Sequence, residues 1–279
     1  MILFRDPIEI KEFLVSKRSR NLSIGFVPTM GALHQGHISL IEEAKANCDL
    51  VVASIFVNPT QFNSNKDLET YPRRIESDII KLNNCNCDVL FHPTIKSMYF
   101  EGEQKLKSDD YGYFIEVLEG LKRPGHFDGV VTILTKFFSI IKPNQVFFGQ
   151  KDYQQCLVAE TLIKRNFPEI ILNRCKIIRE VDGLAMSSRN SRLSSEERKL
   201  ASKIYLTLKF IESQWSEDNW QSGLSEARNI LNTHPFNLEY LEACQIETLT
   251  PINTFLKPVV ILVAVNLGTT RLIDNLIIR

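Results

Sequence analysis

The sequence predicts an α/β fold, with a parallel sheet in an N-terminal domain of residues 1–185 and a smaller α+β domain over residues 186–279. Two observations lead to this prediction. Short β-rich segments alternate with helical segments over about the first 180 residues, which is typical of a parallel sheet with right-handed crossovers. In addition, Leu50–Val57 is a continuous apolar run, the pattern of a strand buried on both faces of such a sheet.

The elements of the N-terminal domain follow from apolar patterns and from the residues that interrupt them. The helix over His37–Asn47 places its aliphatic side chains on or near one face, and His92-Pro93 stops the strand Asp88–Phe91. The predicted strands are Ser23–Val27, Leu50–Val57, Asp88–Phe91, Gln145–Phe148 and the β-rich segment Ile170–Arg179. The predicted helices are His37–Asn47, Phe127–Ile141 and Tyr153–Arg165.

The pattern changes after Asn190. Ser194-Ser-Glu-Glu197 is a capping box, which predicts the start of a helix. The apolar positions of this helix are Leu200, Ile204, Leu208 and Ile211. A second helix is predicted around Leu224–Thr233, and the strands Tyr240–Glu247 and Val259–Val265 complete a small α+β domain.

Composition and charge limit the class of protein. Lys+Arg and Asp+Glu are both 33, so the basic surplus that usually accompanies nucleic-acid binding is lacking. No apolar stretch approaches the ~20 residues of a membrane span, and the N-terminus lacks a signal-peptide pattern. Six cysteines are scattered, and Cys85-Asn-Cys87 has no second pair beside it, which favours reduced thiols over a metal site. We therefore expect a cytoplasmic protein with neither a nucleic-acid nor a membrane partner.

Four polar segments stand beside the predicted strands, at 28–37, 56–62, 147–155 and 183–190. Ligands bind at the carboxyl ends of strands in open α/β sheets, so these segments predict an enzyme that handles a nucleotide. Within the first, His34-Gln-Gly-His37 begins a helix, whose N-terminus offers free N–H groups and positive charge to a phosphate. Two imidazoles at this spacing can face the same phosphate, although a histidine in a turn can also be purely structural.

The other segments carry polar groups suited to a carboxylate and to phosphates. Asn58 and Gln61 follow a buried strand, and their neutral amides suit a carboxylate that must stay nucleophilic; an ordinary Asn-Pro turn is the alternative. Lys151 follows Gly149 and can project its charge into a pocket, with Gln155 one helical turn along. Asp152 is either a helix N-cap or a ligand-binding residue.

Two further motifs are basic. Ser187-Ser188-Arg189 supplies two hydroxyl groups and a guanidinium fork that match phosphate oxygens. Arg123-Pro-Gly-His126 either binds a substrate carboxylate or folds a loop. The sequence contains no Walker motif, no GxGxxG after the first strand and no GxSxG motif, which argues against a P-loop enzyme, a dinucleotide-binding protein and an α/β-hydrolase.

These motifs, in this order, resemble the pantoate–β-alanine ligase family of the HxGH nucleotidyltransferases. The resemblance covers the whole chain, as far as Leu267-Gly-Thr-Thr-Arg-Leu-Ile-Asp274. It implies a Rossmann-like N-terminal domain, a small C-terminal lid domain and a homodimer. It also implies two half-reactions: pantoate attacks the α-phosphorus of MgATP to give pantoyl adenylate and pyrophosphate, and β-alanine then displaces AMP to give pantothenate.

The resemblance also implies site residues. His34, His37, Lys151 and Arg189 would be catalytic, with His37 interpreted as a hydrogen-bond donor to phosphate, and Lys151 and Arg189 neutralising phosphate charge beside Mg²⁺. The ATP-binding set would be Met30, Gly31, Ala32, Leu33, His34, Gln35, Gly36, His37, Gly149, Gln150, Lys151, Asp152, Ile178 (through its backbone), Met186, Ser187, Ser188 and Arg189. Gln61, Gln155 and Asn58 would bind pantoate, and Gln61 would also lie near β-alanine.

The chain departs from the family pattern at two places. Relatives often place adjacent acidic residues after Tyr71-Pro-Arg73, whereas here Ser77 separates Glu76 from Asp78, which leaves open which carboxylate assists Mg²⁺. Relatives also tend to read Met-Tyr-Pro-Asn-Gly where this chain has Met98-Tyr-Phe-Glu-Gly102, so the conformation of that loop is not predicted.

Three other functions agree less well with the sequence. A nucleotide adenylyltransferase of the same superfamily would share His34 and His37, but it would need a pocket for a phosphorylated acceptor. A tRNA-charging enzyme would need an anticodon-binding domain, for which the chain has no room. A non-catalytic nucleotide sensor would tolerate loss of Lys151, Gln155 or Arg189, all of which are present.

Overall fold

The computed structural model describes residues 1–100, 102, 105–108 and 110–279. These residues form two compact units. The first comprises 1–150 and 154–176, and the second comprises 151–153 and 177–279. The main transition thus falls between Lys176 and Ile177, before the predicted boundary at 185/186, and the assignment of residues 186–279 as a lid stays a prediction.

A six-stranded parallel sheet forms the centre of the first unit, in the order β1-β4-β3-β2-β5-β6. Its strands are β1 Ile2–Phe4, β2 Ile24–Thr29, β3 Leu50–Ile55, β4 Val89–Phe91, β5 Gln145–Gly149 and β6 Ile171–Cys175. Every residue of β3 is buried, because helices cover both faces of a parallel sheet. The predicted parallel sheet is confirmed. β1 was not predicted, because three residues are too few to show an apolar period.

Helices of the first unit follow the predicted alternation. They are α1 Pro7–Arg18, α2 Gln35–Asn47, α3 Asn65–Glu69, α4 Ile75–Asn84, α5 Ile95–Met98, α6 Glu119–Lys122, α7 His126–Ile141 and α8 Tyr153–Asn166. The predicted α2, α7 and α8 agree to within two residues at either end. α1 and α4 were not predicted, although α1 carries an ordinary start signal: the Asp6 carboxylate accepts from the Ile8 and Glu9 N–H groups, and Pro7 begins the helix.

The second unit contains an antiparallel sheet of β7 Phe236–Cys244, β8 Val259–Leu267 and β9 Thr270–Ile278. Three helices accompany it: α9 Ser195–Ala201, α10 Lys203–Ser213 and α11 Trp220–Leu231. The Ser194–Glu197 capping box is confirmed. The single predicted helix is interrupted at Ser202, whose backbone stays in the right-handed helical region, so the apolar period runs on across the break.

One apolar core joins the sheet and helices of the second unit. Its members include Ile204, Leu208, Ile211, Leu224, Leu231, Val263, Val265 and Leu267, all of them buried. β9 was not predicted, although its first five residues, 270–274, belong to the motif Leu267–Asp274. No helix in the part of the chain that the structure describes is long and apolar enough to cross a membrane.

Candidate functional site

The turn after β2 (residues 30–33, hereafter the β2 turn) is held by a buried carboxylate. Gly31 and Ala32 both adopt positive φ angles, +80° and +50°, which turn the chain sharply toward α2. Asp78 on α4 is 1 % exposed and accepts hydrogen bonds from the Ala32 N–H at 2.7 Å and the Leu33 N–H at 2.8 Å. Lys81, one turn further along α4, donates to the Leu33 carbonyl at 2.6 Å.

The role of Asp78 is one that the sequence did not reveal. Both of its carboxylate oxygens are engaged by the β2 turn, and a Cβ atom at Gly31 would lie 3.1 Å from one of them. Because hydrogen bonds to a charged group are stronger than neutral ones, Asp78 fixes the backbone that leads into His34. The pairing spans 45 or more residues of sequence, so no local pattern could have predicted it.

His34 and His37 are brought together at the start of α2, with ring centroids 4.1 Å apart. The His34 Nδ1 atom accepts from the Gly36 N–H at 3.1 Å, and the His37 Nδ1 atom accepts from the His34 N–H at 3.3 Å. An imidazole nitrogen that accepts carries no proton, so these bonds select neutral tautomers with the proton on Nε2. Each ring therefore offers an Nε2–H donor.

This arrangement bears on the predicted phosphate site at the start of α2, which stays a prediction. The N-terminus of α2 was expected to offer free N–H groups to a phosphate, but the Gly36 N–H is capped by His34 and the Ala32 and Leu33 N–H groups before the helix are bound by Asp78. These N–H groups are thus used within the protein.

Asn58 and Gln61 lie in the turn after β3, where Pro59–Gln61 forms a 3₁₀ turn. Asn58 is 1 % exposed, and its amide makes four hydrogen bonds. It donates to the Gln61 Oε1 atom at 3.1 Å and the Gly129 carbonyl at 3.0 Å, and it accepts from Tyr99 at 2.6 Å and Thr60 at 3.0 Å. Its hydrogen-bonding capacity is thus used within the protein.

Gln61 is positioned from two directions. Its Nε2 group donates to the Met30 sulfur at 3.1 Å, and its backbone carbonyl accepts from the His126 Nδ1 atom at 2.7 Å. Helix α7 comes close to this turn at Gly129, where a Cβ atom would stand 2.5 Å from the Gln61 backbone nitrogen. Only glycine permits that approach.

Arg123 and His126 support the alternative in which this motif folds a loop. The Arg123 Nη1 atom lies 3.3 Å from the His126 Nε2 atom and 3.7 Å from a Glu119 oxygen. Since His126 Nδ1 must donate to the Gln61 carbonyl, Nε2 is the acceptor for Arg123, which again selects one neutral tautomer. His126 is therefore a second residue that sequence reasoning left without a definite role.

The segment after β5 divides between the two compact units. Gly149 and Gln150 belong to the first unit, whereas Lys151–Tyr153 (hereafter the Lys151 segment) belongs to the second. Lys151 and Asp152 form an ion pair at 3.7 Å, and Gln150–Asp152 is a 3₁₀ turn before α8. Gln155 is partly exposed on α8. Its neighbour Gln154 is buried and binds the backbone of Phe114, Val117 and Glu119.

In the second unit, the remaining predicted residues follow a short hairpin in which Arg179 pairs with Ala185. The Met186 N–H donates to the Ile178 carbonyl at 3.0 Å. Ser187 caps the 3₁₀ turn Ser188–Arg192 by accepting from the Arg189 N–H at 3.3 Å. Ile178, Met186, Ser187, Ser188 and Arg189 are therefore neighbours within this unit.

The cysteines and acidic residues show no metal-binding arrangement in the described part of the chain. All six cysteines are free, and burial raises the pKa of the Cys87 thiol to about 12 and that of Cys175 to about 11. These two thiols are thus neutral at physiological pH. Among the described residues no group of three or more His, Cys, Asp and Glu side chains is placed to hold a metal ion. Of the Met98–Gly102 loop, Glu101 lies outside the described residues.

Comparisons with known proteins agree along the whole chain. A family model described as pantoate-beta-alanine ligase matches residues 2–277. A pantothenate synthetase of Acinetobacter baylyi is 46 % identical over 264 residues, covering 94 % of this chain and 93 % of that protein. One of Thermotoga neapolitana is 41 % identical over 279 residues and covers 97 % of both chains.

Solved structures give the same result. Pantothenate synthetase from Thermus thermophilus superimposes with a TM-score of 0.92 at 35 % identity and covers 99 % of both chains. A pantoate-beta-alanine ligase from Francisella tularensis, complexed with beta-gamma ATP and beta-alanine, gives a TM-score of 0.81 at 37 % identity, covering 99 % of this chain and 97 % of that one.

Proposed function

This chain belongs to the pantoate–β-alanine ligase family, and from this premise we propose that it condenses (R)-pantoate with β-alanine through a pantoyl adenylate. In the first step a pantoate carboxylate oxygen bonds to the α-phosphorus of ATP while the bond to the bridging oxygen breaks and pyrophosphate leaves. In the second the β-alanine amine bonds to the acyl carbon, loses a proton, and displaces AMP. The products are pantothenate, AMP and pyrophosphate.

The observation that carries this proposal is the pair of hydrogen bonds to Nδ1 that orient the His34 and His37 rings side by side at the start of α2. Both rings accept at Nδ1, which places the proton on Nε2, and we propose that these Nε2–H groups donate to a phosphate when ATP binds. Preorganised donors of this kind stabilise negative charge that develops on phosphate oxygens during in-line attack. His37 accordingly acts by hydrogen bonding, and no proton transfer is assigned to it.

We assign the other predicted residues to the ligands that the family resemblance implies, except that Asn58 receives an indirect role. Lys151 and Arg189 neutralise phosphate charge, while Met30–His37, Gly149–Asp152, Ile178 and Met186–Arg189 bind ATP. Gln61 and Gln155 bind pantoate, and Gln61 also lies near β-alanine. Asn58 acts on pantoate through Gln61, because its amide is fully engaged within the protein.

Mg²⁺ fits this proposal as an ion that arrives with ATP. The Asp78 oxygens are both occupied by backbone N–H groups, and the described residues offer no three-ligand cluster. In nucleotide-binding sites Mg²⁺ usually keeps several waters and binds substrate phosphates together with only one or two protein carboxylates. When bound, the ion would neutralise charge on the leaving pyrophosphate. We also propose a cytoplasmic homodimer, in keeping with the family resemblance.

Release of pyrophosphate and AMP from purified protein tests the proposal. With MgATP and D-pantoate alone, about one equivalent of pyrophosphate per active site is expected, because the adenylate stays bound. Addition of β-alanine should make AMP release catalytic. If pantoate elicits no pyrophosphate even in a single turnover, the ligase proposal is wrong, and a nucleotide adenylyltransferase becomes the next hypothesis. Omission of pantoate is the control for ATP hydrolysis.

A further inference from the structure

The Lys151 segment makes a hydrogen bond at each end with residues far along the chain, one through the Lys151 carbonyl and one through the Tyr153 side chain. The Asn275 Nδ2 group donates to the Lys151 carbonyl at 3.0 Å, and the Tyr153 hydroxyl donates to the Ile246 carbonyl at 2.7 Å. Both partners come from the C-terminal hundred or so residues, consistent with the grouping of this segment in the second compact unit. Side-chain donors thus hold the segment in addition to its own 3₁₀ turn.

Asn275 is itself rigidly placed. It lies on β9, is 1 % exposed, and its N–H donates to the Asp274 Oδ1 atom at 2.8 Å. Arg179 binds the Asp274 carboxylate with two hydrogen bonds of 2.6 and 3.0 Å, and its guanidinium stacks 3.8 Å from the Tyr205 ring centroid. A bidentate arginine–carboxylate pair restricts the motion of both side chains. Because Asn275 follows Asp274 and its N–H binds the same carboxylate, its side-chain amide has little freedom to move away from Lys151.

The charges around Lys151 are consistent with a role for Asn275 in placing the ammonium group. Burial raises the pKa of the Asp274 carboxyl, while the Arg179 and Lys151 charges oppose that rise. Lys151 also pairs with Asp152 at 3.7 Å, and its side chain is mostly buried. The ammonium group therefore lies near the Asp152 and Asp274 carboxylates.

We propose that Asn275 and Tyr153 are positioning residues for Lys151: they fix its backbone, and hence the direction in which the ammonium group meets the phosphates of ATP. The inference rests on the proposed function, in which Lys151 neutralises phosphate charge. It also gives a role to the end of the motif Leu267–Asp274 and its neighbour Asn275, which neither half-reaction had used.

The test is a double-mutant cycle on the full-length protein. Asn275→Ala should lower kcat/KM for ATP in adenylate formation about tenfold, which corresponds to loss of one hydrogen bond, and leave the KM for pantoate unchanged. In a Lys151→Ala background the same change should have no further effect, because the group it positions is gone. Asn266→Ala is the control: it removes an asparagine hydrogen bond on the same sheet, to Glu239 at 2.8 Å, and should leave the rate unchanged.

Two outcomes separate the possible failures. If Lys151→Ala forms adenylate at a normal rate, the proposed role of Lys151 is wrong. If Lys151→Ala is slow but Asn275→Ala is normal, or if the two losses simply multiply in the double variant, the positioning inference is wrong. Should Asn275→Ala fail to fold, Tyr153→Phe removes only one hydroxyl and is measured in the same cycle, with the same outcomes expected.

Discussion

The β2 turn and the Lys151 segment each lead to side chains that we propose to bind phosphate, but the two backbones are anchored through opposite ends of the peptide group. In the β2 turn, the Asp78 carboxylate binds two N–H groups. In the Lys151 segment, the Asn275 amide binds one carbonyl. The first anchor is charged and bidentate, and the second is neutral and single. We therefore expect the charge and the number of hydrogen bonds, more than the distance along the chain, to decide how strongly each anchor holds its backbone segment.

The largest effect is therefore expected at Asp78. Asp78→Asn places an amide N–H₂ group against a buried backbone N–H, which leaves donors unsatisfied and costs about 2–4 kcal/mol of the free energy of unfolding. Displacement of His34 should also slow adenylate formation about 10²-fold, because small misplacements near a reacting centre are costly. Urea denaturation and single-turnover pyrophosphate release measure the two effects.

Asn84→Ala is the control for Asp78→Asn, since Asn84 is exposed on the same helix. It should change neither quantity. If Asp78→Asn is as stable as the parent protein, the buried carboxylate is not the stronger anchor and the comparison fails. If stability falls but adenylate formation does not, Asp78 supports the fold without positioning the histidines.

Lys151→Ala removes the ammonium group but leaves the backbone carbonyl that Asn275 binds. We expect adenylate formation to fall by at least ~10²-fold, in line with the loss of one preorganised electrostatic group. Stability should change little, because the ion pair with Asp152 is partly exposed and such pairs contribute about 1 kcal/mol or less. Lys164→Ala, on an exposed position of α8, is the control. Near-normal single-turnover rates would remove Lys151 from the mechanism.

A smaller effect is expected where one hydrogen bond positions Gln61. His126→Phe removes the donor to the Gln61 carbonyl and should raise the KM for pantoate about tenfold, with the KM for ATP unchanged. His126→Asn keeps an N–H₂ donor near the position of Nδ1 and should restore most of the affinity. Equal losses in both variants, or an equal rise in the two KM values, would mean that His126 acts on the fold as a whole.

The contrast between the two anchors also explains what the sequence predicted. Leu50–Ile55 is apolar at nearly every position because both faces are covered, so its strand was predicted, as was the polar turn that follows it. His34 and His37 were recognised because their spacing and their place before a helix are local. Asp78 and Asn275 were not, since their partners lie 45 and 124 residues away. β1 is too short to show a period, and the break at Ser202 keeps helical backbone angles.

The smallest effect concerns a third, exposed kind of anchor, the ion pair between Asp182 and Arg198. It ties the hairpin before Met186 to α9, with Nη1–Oδ2 at 2.5 Å, but the two side chains are 39 % and 35 % exposed. The hydrogen bond from Arg198 lowers the pKa of Asp182 below its ordinary value of 3.8. Its stabilisation is therefore present above that value and is lost as the pH falls through the lower pKa of the folded state.

Asp182→Asn should accordingly cost no more than about 1 kcal/mol at pH 7, because solvent screens exposed pairs. The difference in the free energy of unfolding between variant and parent should shrink below about pH 4, where the carboxylate is increasingly protonated in both folded and unfolded states. High salt should shrink it as well. Guanidinium chloride is itself a salt, so urea is the denaturant to use. If Asp182→Asn lowered the free energy of unfolding by several kcal/mol at pH 7, this exposed ion pair would contribute as much as buried Asp78. The expectation that burial and charge decide the contribution of each anchor would then be wrong.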